Sequence, residues 1–233
     1  RLGKRATDQV ERDVRHMFRL DDDLSEFYTM VGCDPNFGWI GKEGAGRLLR
    51  SPTVFEDLVK MICTTNCSWA LTRKMITGLV DSLGRESHGG RRTFPTPEAM
   101  AAAPERFYRD RVRAGYRAPY LRELAKRVAS GSLNVERWLH CADETTLLKK
   151  EMKKVKGVGD YAAENVLKLV GRYDGLGIDS WVRSTFNKTR NGGRKATDRK
   201  IERHYSRFGS WRGLAMWCDL TRAWLDEHQS FTL

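Results

Sequence analysis

The 233-residue chain is short of four things: strand-like alternation, long apolar runs, paired cysteines and acidic residues. Apolar residues recur at helical spacing and almost never alternate, which argues against a sheet-based core and for an all-α fold. No apolar run reaches the length of a bilayer span, and no signal-peptide pattern is present. The five cysteines, at 33, 63, 67, 141 and 218, are odd in number and contain no Cys-x-x-Cys pair, so no disulfide framework is expected and a reduced, intracellular compartment fits better. Cys63 and Cys67 are four apart and have the spacing of half a metal site. With no His or further Cys nearby, apolar filling of a helix is the favoured role. Lys and Arg number 42 against 30 Asp and Glu, a formal charge of +12. That excess suits an anionic partner such as nucleic acid, although a basic enzyme without a polyanion ligand remains an alternative. Residue 1 is Arg rather than Met, which leaves room for an upstream segment or targeting signal.

Val10, Val14, Met17 and Phe18 form one apolar stripe on a first helix. The run Asp21-Asp22-Asp23 has the look of a metal cluster but caps the next helix, with Leu24, Phe27 and Tyr28 turned inward. Ser51-Pro52-Thr53 with Glu56 reads as a helix start with a capping box. Leu71, Met75, Ile76, Leu79 and Leu83 line a following helix that ends at Gly84. Residues 85–93 are a polar loop, and Pro95, Pro97 and Pro104 divide the chain into short helices before a clear one at 120–129. A helix beginning near Ser180, a basic loop from Thr189 to Ala196, and two closing helices separated at Gly209-Ser210 complete the pattern.

The most informative stretch is 147–186. Leu147, Leu148, Met152 and Val155 give an apolar face before Gly157-Val158-Gly159, and Ala162, Val166 and Leu169 give one after it. Such a glycine turn exposes backbone N–H groups at a helix start, where a phosphate binds without side-chain charge. Lys153, Lys154 and Lys156 add positive charge, or are simply a solvated face. Asp179 follows in an apolar setting; it caps the helix at Ser180 and is also placed for chemistry on whatever the hairpin holds.

These residues together resemble the helix-hairpin-helix DNA glycosylase superfamily over roughly residues 7–228. Ile62-Cys63-Thr64-Thr65-Asn66 and Gly115-Tyr116-Arg117-Ala118-Pro119-Tyr120 are similar to segments of the 8-oxoguanine branch. The opening helix and Ser210-Trp211-Arg212 are similar to the 3-methyladenine glycosylase II branch. The resemblance implies an all-α fold of two helical subdomains with an active-site cleft between them. Residues 1–50 would be N-terminal helices and linker, 51–172 a helical domain with the hairpin motif at about 145–172, and 173–233 C-terminal helices. It implies that Asn66 enters the gap left by a flipped nucleotide, that Tyr116 wedges the stack, and that Arg117 contacts the unpaired base. Lys156, Gly157, Val158, Gly159 and Arg183 join the DNA-contacting set. The carbonyls of Lys153, Val155 and Val158 would hold a monovalent cation, Na+ or K+, and Asp179 would be the catalytic carboxylate. Relatives of both branches carry an antiparallel sheet domain ahead of the helices, for which only a few residues are present here.

Departures from the pattern sharpen the expectation. Lyase relatives have a Schiff-base lysine two positions after the second hairpin glycine, where this chain has Tyr161, so a monofunctional hydrolysis is expected. An aromatic residue at that place in the alkylation-repair branch stacks on an electron-poor base. Met216 and Leu71 stand where the 8-oxoguanine branch has its base-reading glutamine and cytosine-reading arginine. No clustered cysteines follow Asp179, so no iron-sulfur cluster is expected. Tyr161, Trp181, Met216 and Trp69 are the base-pocket candidates; each also suits a core, and for Trp69 the core is favoured. The expectation is a monomeric DNA glycosylase acting on double-stranded DNA with a damaged base, an alkylated purine foremost, in association with the genome and with no required cofactor. Two alternatives stay open: excision of an oxidised, deaminated or mismatched base, and a non-catalytic module that binds distorted DNA.

Overall fold

The computed structural model describes residues 3–87 and 89–229. The elements run in the order α1 (Lys4–Phe18), α2 (Ser25–Gly32), α3 (Trp39–Lys42), α4 (Val54–Thr64), α5 (Trp69–Leu83), α6 (Pro97–Ala102), α7 (Glu105–Asp110), α8 (Ala118–Ala129), α9 (Thr145–Met152), α10 (Asp160–Leu169), α11 (Ser180–Arg190), α12 (Asp198–Tyr205) and α13 (Arg212–Gln229). Short 3-10 turns at Gly115–Arg117, Glu136–Leu139 and Ser206–Trp211 link some of them. The fold is all-α. Among the described residues the sole β-type pairing is an isolated bridge, Glu86 to Arg92, and no helix is long and apolar enough to cross a membrane.

Several helix starts follow from local sequence. Thr53 Oγ1 accepts the Glu56 N–H at 3.2 Å, and Thr96 and Thr197 cap α6 and α12 in the same way. The start of α4 has a second cap that local sequence does not announce. The Glu136 carboxylate accepts the Val54 and Phe55 N–H groups at 2.9 and 3.0 Å, from 82 residues away. The three aspartates before α2 divide their work: Asp21 pairs with Arg15, Asp22 with Arg19, and Asp23 accepts the Ser25 N–H.

Two compact units result, one of residues 1–50 and 167–233, the other of 51–166. The first boundary falls at Ser51, and the second lies within α10, a few residues before position 172. In the 51–166 unit, α6 and α7 pack on α8, and Leu58, Ile62, Met75, Leu79, Tyr108, Leu121, Trp138 and Met152 are fully or almost fully buried. In the other unit, Phe27, Phe37, Ile40, Phe186, Ile201, Tyr205, Leu214 and Met216 form one buried cluster. The stripe on α1 behaves differently. Val10, Val14 and Phe18 are all exposed, and none of the α1 residues is buried.

Within that second unit, the stretch from the end of α10 to α11 is held by bonds to its backbone. Arg19, 1% exposed, donates to the Lys168 carbonyl at 2.8 Å, to the Leu169 carbonyl and to Tyr173 Oη at 2.6 Å. Lys168, also buried, donates to the Leu176 carbonyl at 2.7 Å. Gly213 N–H donates to the Tyr173 carbonyl at 2.7 Å, and the Arg212 guanidinium donates to the Asp174 carbonyl. The Gly213 bond needs a residue without a side chain: a Cβ there would sit 2.2 Å from the Gly175 oxygen and 2.6 Å from the Tyr173 oxygen. Gly213→Ala is therefore expected to lower stability by about 2–3 kcal/mol, read as the shift in a urea unfolding midpoint. A change of a few tenths would show that the 173–179 segment adapts freely.

Candidate functional site

The glycine turn is built as a two-helix hairpin. Val158 N–H donates to the Val155 carbonyl at 3.0 Å, closing a tight turn in which Gly157 has φ +89°. That conformation, and the 3.0 Å that a Cβ would leave to the Tyr120 ring, both require glycine. Because the Val158 amide is used inside the turn and its side chain is buried, Val158 is a packing member of the loop. Gly159 is exposed at the start of α10, with open space around it. Of the expected apolar face before the turn, Leu148, Met152 and Val155 are buried, but Leu147 points outward. Ion pairs brace the two helices: Lys149 with Asp160 and Glu164, and Lys153 with Asp160. Lys156 pairs with Glu123 at 2.7 Å. Two of the three lysines expected as free charge on the approach are thus partly neutralised.

From the turn, a continuous series of side chains leads to the end of α4. Tyr120 packs by Gly157, and the Tyr116 ring meets Tyr120 at 6.1 Å in a T-shaped arrangement. The Arg117 guanidinium lies 4.4 Å from the Tyr116 ring centre. It is 4% exposed and donates to Thr65 Oγ1 at 3.3 Å and to the Thr65 carbonyl. Tyr116 Oη lies 3.5 Å from that same carbonyl. Thr65 is thus a shared acceptor, and it sets Asn66, which is exposed and held at φ +47°, on the outside of the corner. The structure therefore brings Asn66, Tyr116, Arg117 and the hairpin together within the 51–166 unit. Sequence reasoning did not single out Thr65 or Tyr120, since their roles are through-space contacts.

Trp69 is a correction. It is 70% exposed and belongs to no core, because it opens α5 one turn ahead of Thr72, Met75 and Leu79, which carry the buried face. It stands three residues from Asn66, on the same corner.

In the other unit, Asp179 is half-buried and caps α11, its Oδ1 accepting the Val182 N–H at 2.8 Å. It is delivered by the extended segment pinned at Tyr173, Asp174 and Leu176. Arg183, one turn further on, makes a two-pronged pair with Asp198 at 2.7 and 2.8 Å, and the proximity of Asp198, with Asp179 adding, pushes its pKa up. Trp181 packs against Trp217 at 6.0 Å and Trp224 at 5.6 Å. These two rings, with Trp39, Gly46 and Cys218, line a hollow of about 360 Å³. Burial pushes the Cys218 thiol up to about 12, so it is a neutral lining group at ordinary pH. Met216 is buried in the core cluster. Trp217 was missed in the sequence because it flanks the apolar line of α13 rather than lying on it. Tyr161 is half-buried in the first turn of α10, with its carbonyl accepting from Asn165.

A family model described as HhH-GPD superfamily base excision DNA repair protein matches residues 59–210, well over half of the chain. The chain belongs to this superfamily. It is 26% identical to the "Probable N-glycosylase/DNA lyase" of Methanothermobacter thermautotrophicus, covering 82% of this chain and 67% of that one. It is 24% identical to the DNA-3-methyladenine glycosylase of Bacillus subtilis, covering 69% of this chain but 54% of the relative. Among solved structures, the Clostridium acetobutylicum 8-oxoguanine glycosylase/lyase in complex with double-stranded DNA aligns with TM-score 0.73 at 25% identity, over 91% of this chain and 74% of that one. The Archaeoglobus fulgidus 3-methyladenine DNA-glycosylase gives TM-score 0.73 at 22% identity, covering 97% and 78%, a likeness of fold.

The corner geometry separates packing from surface. Arg117→Ala removes the buried guanidinium that donates to both the Thr65 carbonyl and hydroxyl, leaving only the long Tyr116 contact, and is expected to reduce stability by about 1–3 kcal/mol. Trp69→Ala should stay within about 0.5 kcal/mol of the parent. Paired thermal melts check both, and equal shifts would contradict the assignment.

Proposed function

We propose that this HhH-GPD protein is a monofunctional DNA glycosylase that flips a damaged purine, foremost an alkylated one, and hydrolyses its bond to deoxyribose with Asp179. The observation that carries the monofunctional reading is Tyr161, two positions after Gly159, which offers no amine for an imine. Lys168, the lysine nearest in sequence to Asp179 on the hairpin side, is buried with its amine donating to the Leu176 carbonyl. It acts as a strut.

Loss of the base builds positive charge on the sugar. A carboxylate beside it stabilises that charge and orients the attacking water. An alkylated purine is itself cationic and leaves easily, so the protein's task is to hold it. Electron-rich rings do this well, and the Trp217 and Trp224 rings that line the hollow of about 360 Å³, with Trp181 packed against them, support such a role in the unit that carries Asp179.

On the 51–166 unit, the amides at Gly157 and Gly159 would take a backbone phosphate, Asn66 and Tyr116 would occupy the vacated stack, and Trp69 would add a stacking face. The carbonyls of Lys153, Val155 and Val158 would hold a monovalent cation. Three neutral oxygens suit a hard, weakly held ion, and no cluster of His, Cys, Asp or Glu able to hold a metal occurs among the described residues.

The test uses duplex DNA with a single methylated purine. Free base and an intact abasic strand are expected, with no protein–DNA adduct after borohydride; a trapped adduct would overturn the monofunctional assignment. Asp179→Asn should bind the duplex and release base at least a hundredfold more slowly, on the order of a lost transition-state charge partner. Trp69→Ala should weaken duplex binding by about 1–3 kcal/mol in an anisotropy titration. Unchanged affinity would remove Trp69 from the interface.

A further inference from the structure

Away from Asp179, the same unit holds a second hollow of about 350 Å³ between α11 and α12, lined by Phe186, Arg190, Thr197, Arg199, Lys200, Arg203 and His204. Its composition is one-sided: three arginines, a lysine and a histidine, with no carboxylate. Residues 199, 200, 203 and 204 fall on one face of α12 by helical spacing, whereas Asp198 and Glu202 lie on the other. Glu202 lies off the basic face, and the other two nearby acids are already engaged. Asp198 is held by Arg183, and Asp219, buried beneath, by Arg190 at 2.9 Å and by Tyr205 Oη at 2.7 Å. Lys200 reaches only the neutral Asn191 Oδ1, at 2.5 Å. Among the described residues, Arg199, Lys200 and Arg203 have no ion-pair partner. The Phe186 ring forms an apolar wall with His204 edge-on at 5.3 Å, and His204 Nε2 is buried without a hydrogen-bond partner. Three uncompensated cations on one wall of the hollow repel one another in the free protein, and an anion of matching size relieves that repulsion.

We infer that this hollow is a phosphate-binding site separate from the carboxylate centre, and that it takes a backbone phosphate of the bound DNA. Arg190 is pre-positioned by Asp219, and Arg199, Lys200 and Arg203 supply the charge and the forked donors that phosphate oxygens accept. The placement fits a DNA contact outside the lesion. Arg190 ends α11 and Asp179 caps its start, so eleven helical residues separate the two by about 16 Å. At about 3.4 Å of axis per nucleotide, that distance reaches a phosphate up to about five steps from the nucleotide at Asp179. The inference rests on DNA binding by the family, and not on which lesion is excised.

The test compares the parent with the exposed double variant Arg199→Ala/Arg203→Ala, in the full chain. Binding is measured over a salt series to two duplexes carrying an uncleavable abasic analogue, one long on both sides and one cut close to the lesion. On the long duplex the variant should bind about threefold to tenfold more weakly, with a log affinity against log salt slope shallower by about one. On the short duplex the two proteins should agree. Inorganic phosphate, added to thermal melts, should raise the midpoint of the parent more than that of the variant. Phosphate stabilisation with an unchanged DNA slope would overturn DNA as the source and leave a free-phosphate site. Equal weakening on both duplexes would overturn the remote placement, and no difference in either measurement would overturn the site. Asp179→Asn should keep the parental slope, so failure of the excision reaction leaves this result readable.

Discussion

The segment from Tyr173 to Asp179 has almost no secondary structure of its own, so its path is imposed by what its carbonyls bond to. Three successive anchors, at Tyr173, Asp174 and Leu176, receive donors from α13 and α10. Two of the groups that hold this junction, Arg19 and Lys168, are buried cations. Burying such charges is unfavourable unless they are paired or spread over several acceptors, and here the acceptors are the Asp22 carboxylate beside Arg19, the carbonyls left at the end of α10 and those in the segment itself. One arrangement therefore meets two needs: the orphan carbonyls of a helix end are satisfied, and a coil is fixed. The position of Asp179 follows from helix packing, and the N-cap bond to Val182 fixes its first carboxylate oxygen.

The corner at Thr65 follows a different logic. A single carbonyl is approached by Arg117 and by Tyr116, and Arg117 in turn lies on the Tyr116 ring. Polar bonding takes place beneath, which leaves Asn66, Trp69 and half of Tyr116 to solvent. Exposed aromatic area of this kind is unfavourable in a free monomer and is characteristic of a binding surface. For Arg117 to read a base, as the family resemblance implies, its guanidinium must exchange Thr65 for base acceptors. In the free protein it holds the corner instead.

What could be read from sequence was what is local. Helix periods, the caps at Thr53 and Asp179, and the hairpin glycines each act within a few residues, and each is where the pattern puts it. Trp69 defeated the same reasoning because a helical period gives the direction of a side chain but not whether the core extends as far as the first turn. The apolar stripe of α1 shows the same gap, since amphipathicity announces a face without supplying its cover. Arg19, Lys168, Gly213 and Glu136 work through partners that are distant in sequence or sit on unrelated coil, with Arg19 reaching 149 residues to the Lys168 carbonyl. No short-range signal marks a buried arginine as a clamp.

Charge illustrates the same limit and has a mechanistic consequence. The lysines around the hairpin suggest an electrostatic approach to DNA, yet Lys149, Lys153 and Lys156 are spent on Asp160, Glu164 and Glu123. With those charges compensated, the hairpin of the proposed reading would grip a phosphate mainly through backbone N–H groups and a preformed turn, contributions that vary little with ionic strength. Counterion release, and hence salt sensitivity, falls instead to cations that lack carboxylate partners. On the described surface those include residues of α12, so on the proposed reading the part of the protein that would govern long-range attraction need not be the part that would position the damaged nucleotide.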